Sequence, residues 1–115
     1  MTAFNVTDYN IQIHTNVNNP VAYQAFFGLN LVDTSGGTRA VAFLSFYPDT
    51  ITAIPSNSVG TQGGMKVYSA NFSVSWFAII GDLLRNEKPL TFWFDEASLE
   101  CLLGTGQEPV GAGNN

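Results

Sequence analysis

Residues 72–95 read FSVSWFAIIGDLLRNEKPLTFWFD, and this stretch decides the fold. Trp76, Ile79, Ile80, Leu83 and Leu84 recur at the spacing of one apolar stripe on a helix. Ser73 or Ser75 supplies an N-cap oxygen. Asn86 closes the helix, Arg85 and Lys88 suit its negative end, and Pro89 prevents continuation. The spacing therefore predicts an amphipathic helix at about residues 75–87 with its stripe, Trp76 included, turned to the core. Gly81 costs about 1 kcal/mol against Ala in a helix interior, which marks close packing on a neighbour. Leu90-Thr91-Phe92-Trp93-Phe94 follows as a strand, so Phe92 and Phe94 face one way and Trp93 the other.

Strands surround this segment. Residues 66–73 alternate, with Tyr68, Ala70 and Phe72 on the apolar face. Nearer the N-terminus, Tyr9, Ile11 and Ile13 face a core while Asn10, Gln12 and His14 face water, the pattern of an antiparallel sheet with one wet side. In residues 21–33 the odd positions Val21, Tyr23, Ala25, Phe27, Leu29 and Leu31 are all apolar, which favours a strand. Asn19-Pro20 and Gly28 would also frame a helix there. The turn Ser35-Gly36-Gly37 leads into residues 39–47, a near-continuous apolar run that fits a strand buried on both faces. Residues 49–54, bracketed by Pro48 and Pro55, read as a short edge strand, and residues 56–64 as a flexible loop. Residues 98–103 pair with the Leu90 strand, placing Leu99, Cys101 and Leu103 on one face.

The fold class is α+β: a mostly antiparallel curled sheet or barrel-like β-sandwich of six to seven strands with one helix. All 115 residues form a single domain, ending in a Gly-rich tail at 104–115. Whether the strands flanking the helix lie parallel is open, because a helix of this length serves either a crossover or a cap on an open barrel end.

Charged residues make up only 11% of the chain, against about a quarter in typical soluble domains. Some outer surface is therefore apolar or neutral, and apolar outer surface points to a homo-oligomer. The net charge is −5, and residues 89–115 hold four acids and no base. Four scattered bases cannot neutralise a run of phosphates or an anionic membrane surface, which disfavours nucleic acid and membrane as partners. The single Cys101 cannot form an internal disulfide, the first residues carry no leader pattern, and no apolar run approaches a membrane span. These features point to a cytoplasmic protein.

Chemical motifs are weak, and none implies a cofactor. His14 and Cys101, the only imidazole and thiol, would form a nucleophilic pair only if the fold joined them. Asp95, Glu96 and Glu100 are the tightest acidic group and the candidate metal ligands, or a carboxylate pair for a small hydrolase-like enzyme, although no calcium-loop pattern is present. Gly60-Thr61-Gln62-Gly63-Gly64-Met65-Lys66 opens a strand rather than a helix and lacks a phosphate-loop ending. The aromatics Trp76, Phe92, Trp93 and Phe94 are the candidate ligand or interface residues, with Trp93 on the spare sheet face. The leading expectation is a non-catalytic, self-associating binding or assembly domain. The second is a module for a small apolar or planar ligand, with Trp76, Phe92 and Trp93 lining its pocket.

Overall fold

A computed structural model describes residues 2–13, 25–51 and 53–105. The chain forms β1 (Thr2–Ile13), β2 (Ala25–Asp33), β3 (Arg39–Tyr47), β4 (Ser58–Gln62), β5 (Met65–Ser73), a 3-10 turn (Val74–Trp76), α1 (Phe77–Asn86), β6 (Leu90–Phe94) and β7 (Cys101–Thr105). All seven strands join one sheet in the order β4-β5-β3-β2-β1-β6-β7. Only β3 and β5 run parallel. The strands flanking the helix, β5 and β6, are separated by three others and run in opposite directions, so α1 is not a parallel crossover.

The sheet curls into a half-barrel. The ring of Tyr68, on β5, lies 4.7 Å from Phe94 and 6.0 Å from Phe92, both on β6, and 5.5 Å from Phe4 on β1. Strands so far apart in the sheet order touch only if the sheet bends their inner faces together. Tyr68, Phe92 and Phe94 are fully buried. Near the same end Lys66 Nζ donates to Glu96 Oε1 at 2.7 Å, and the Asn57 side-chain amide donates to Leu99 O at 3.0 Å. Side chains, not ladder hydrogen bonds, bridge the gap.

The helix closes the other part of the hollow. Phe77 stacks on Phe27 at 5.0 Å and meets Phe46 edge-on at 5.2 Å, while Ile80 and Leu84 are buried. The buried stripe is thus centred one residue later than the sequence spacing predicts. Trp76 and Ile79 are about half exposed, which corrects the expectation that Trp76 belongs to the core. The cause is local: Ser73 Oγ accepts from Ser75 N and starts a 3-10 turn, whose tighter winding takes Trp76 off the α-helical stripe.

Three further expectations change. The described residues of the 49–54 segment, 49–51 and 53–54, are not strand; Ile51 N donates to Pro48 O in a turn. Residues 58–62, read as loop, form β4, which pairs with β5 through the two-residue turn Gly63-Gly64. Both glycines have positive φ, as the type I′ hairpin turn requires. Finally, Gly104 and Thr105 belong to β7 rather than to the tail. Residues 21–24 and the tail beyond 105 lie outside the described residues, while residues 25–33 are strand, as expected.

β1 carries a register shift between Val6 and Asp8. Thr7 Oγ1 donates to Asn30 O at 3.1 Å, and the Asn30 side-chain amide donates to Asp8 Oδ1. The bulge reverses the strand's phase, so even-numbered Phe4 and Val6 share the inner face with odd-numbered Tyr9, Ile11 and Ile13. One strand further in, Gly28 N donates to Asn10 Oδ1, and a Cβ at position 28 would stand 2.7 Å from that oxygen. This close approach explains a glycine in a central strand.

At Gly81 an added Cβ would meet Phe27 Cζ at 3.5 Å, an ordinary contact. Gly81→Ala is therefore expected to stabilise the fold by up to about 1 kcal/mol, read as a higher midpoint in thermal or urea unfolding. Burial, and after it the Glu96 charge, push the Tyr68 phenol from its ordinary 10.0 up to about 12. A raised folded-state value means stability that is full below pH 10 and falls as pH rises toward 12. Tyr68→Phe keeps the ring and should flatten that alkaline decline in a pH series of melting curves.

Candidate functional site

Asp95 and Glu96 sit in the turn between β6 and β7, and each is already engaged. Asp95 Oδ1 accepts from Ala97 N at 2.9 Å and Ser98 N at 3.4 Å, and these bonds hold its carboxyl below the usual range. Glu96 accepts from Lys66 and from the Tyr68 hydroxyl; the Lys66 bond, more than any other contact, lowers its pKa. Leu99, with φ of 63°, closes the turn by donating to Asp95 O at 2.7 Å. Glu100 is exposed beyond it. The turn thus uses its acids to cap backbone amides and bridge the half-barrel. Among the described residues no group of three His, Cys, Asp or Glu side chains is placed to hold a metal ion.

Cys101 pairs across from Phe94 and is half-buried against the core. Burial, with the Glu100 charge second, pushes its thiol up to about 11, so thiolate is scarce at neutral pH. His14, its proposed partner, lies outside the described residues. In the native protein Cys101 should react with a chromogenic disulfide far more slowly than in denaturant, by a factor of ten or more on the order expected for a buried, protonated thiol.

The four aromatic candidates do not converge. Phe92 and Phe94 are fully buried inside the half-barrel, whereas Trp93 faces outward beside its cross-strand neighbour Leu102. The Trp93 ring passes over Gly104, where an added Cβ would stand 3.8 Å from Cζ3, and so covers the backbone of the edge strand. Trp76 lies elsewhere, on an open groove of about 540 Å³ shared with Ile54, Phe72 and Leu99. Among the described residues, Trp76, Phe92 and Trp93 therefore stand in three separate places rather than around one pocket.

A cleft that the sequence did not disclose lies between the β1 bulge and the end of α1. It measures about 630 Å³, with Val6, Tyr9, Leu84 and Leu90 contributing apolar lining and Asp8, Glu87 and Lys88 polar lining. It arises because β6 pairs with β1 only from Thr2 to Asn5, after which the two strands part. The signal was present as the phase change from Phe4 and Val6 to Tyr9 and Ile11, which a bulge accounts for.

Fold and surface together define a mixed-sheet α+β half-barrel domain whose acids serve structure and whose large apolar side chains reach the surface. No family model, no curated protein and no solved structure matches the chain. Among the described residues no helix is long and apolar enough to cross a membrane.

Proposed function

We propose that this chain is a non-catalytic assembly domain that works by self-association. The observation that carries this reading is the exposure of eight large apolar side chains among the described residues, Ile13 (73%), Ile79 (54%), Trp76 (51%) and Leu102 (50%) most of all. Single exposed apolar residues are ordinary on any protein. Here they stand on a chain with thirteen Asp, Glu, Lys and Arg residues in all, too few to screen them, and such surfaces are commonly covered by another copy.

A catalytic reading finds less support. The carboxylates of Asp95 and Glu96 are tied to backbone amides and to Lys66, and the Cys101 thiol is held protonated. A small-ligand reading is weakened by the scattering of Trp76, Phe92 and Trp93 over separate surfaces and the core. Light scattering over a dilution series tests the proposal. The expected result is at least twice the chain mass at micromolar concentration, falling on dilution; a mass that stays monomeric up to the solubility limit would refute it.

A further inference from the structure

We infer that the assembly surface is the free edge of β1, residues 6–13, which pairs antiparallel with the same edge of a second copy about a two-fold axis at Asn10. The inference rests on the self-association reading and names its contact.

The main chain makes the first argument. β1 continues for eight residues beyond Asn5, the last residue paired with β6. Along that length it pairs with β2 on one side, and no described strand lies on the other. Backbone N–H and C=O groups on such an edge take either water or another strand. The two terminal strands of the sheet, β4 and β7, are only five residues each. Natural edges are blunted by Lys, Pro, charges or bulges; the bulge and Asp8 lie at the near end of this segment, and residues 9–13 hold none of these devices.

The side chains make the second argument. With Asn10 on the axis, Ile11 meets Tyr9 of the second copy, and Ile13 meets the bulge at Thr7 beside Val6. Asp8, the only charged residue in the segment, meets Gln12 rather than its own copy. The Ile11–Tyr9 pairing sets apolar against apolar on the inner face, the Ile13 pairing falls on the bulge, and no pairing opposes like charges.

The cleft makes the third argument. Ile11 and Ile13 are 48% and 73% exposed although they lie on the inner face. The apolar lining at Val6, Tyr9, Leu84 and Leu90 opens beside this edge, on the side where a second strand would lie. In the two-fold arrangement the Ile13 side chain of one copy reaches the cleft of the other. A surface that offers both the projecting side chain and its receptacle is self-complementary, as an isologous dimer requires.

The test compares wild type with Ile11→Lys, Ile13→Lys and Phe43→Lys by light scattering, and follows backbone amide exchange of wild type on dilution. Phe43 lies on the outer sheet face, away from the edge. Wild type should dimerise, and each Ile→Lys change should weaken the dimer roughly a hundredfold or more, since it enters the interface twice. Phe43→Lys should have no effect, and amides in residues 6–13 should exchange faster as the dimer is diluted. The dilution measurement needs no variant, so a folding defect in one leaves the result readable. Dimers that survive both Ile→Lys changes, or that Phe43→Lys alone dissociates, would overturn the edge contact and leave self-association standing. A wild-type chain that never dimerises would overturn both.

Discussion

The contact of Tyr68 with Phe92 and Phe94 holds the architecture together. A seven-stranded sheet twists but can stay open, and nothing in its hydrogen bonding compels its two ends to meet. What compels it here is the burial of a large ring from β5 against two rings from β6, across three intervening strands. Fully burying side chains of this size is worth roughly 2–3 kcal/mol each, more than any single ladder hydrogen bond contributes. Once the curl is set, Lys66 reaches Glu96 and Asn57 reaches the β6–β7 turn. The acidic turn that drew notice as possible chemistry is better understood as a latch on that curl.

The helix was readable because capping residue, apolar spacing and Pro89 agree on it. The sequence erred on which face is buried, because a 3-10 turn changes the angular position of Trp76 and neither its residue type nor its neighbours announce that turn. Leu90–Phe94 was readable for the opposite reason: a strand's two-residue period leaves only one way to divide Phe92, Trp93 and Phe94. The β4–β5 hairpin was missed although Gly63-Gly64 between two extended runs is its ordinary signature. The small polar residues Ser58, Gly60 and Thr61 look like loop, and only pairing with β5 makes them strand. The cleft was the least visible feature. The phase change in β1 marks the bulge on one wall, but the opening itself depends on β6 being shorter than β1, a fact about partners that no local pattern contains.

The charge distribution follows from the same design. Lys66 bridges to Glu96, Arg85 lies against Asp82 one helical turn away, and Asp33 and Asp95 fold their carboxylates over backbone amides of their own turns. In a chain with so few charges, these ion pairs and turn caps occupy a large share of them. The charges stay at the surface, Asp82 and Arg85 about two-thirds exposed, but they are sparse, and the stretches of Asn, Ser, Thr and apolar side chains between them can approach a similar surface without the desolvation cost that charges would impose.

The pairing of Thr2 with Phe94 has a kinetic consequence. These residues belong to the first and the sixth strand, so the ladder between β1 and β6 is among the most non-local contacts in the molecule. During synthesis β1 can join β2 early, but its other side stays bare until the helix and β6 have emerged. Folds that depend on such distant pairings assemble slowly. The nascent chain therefore passes through a stage in which the whole length of β1, not only its last eight residues, lacks a partner on that side.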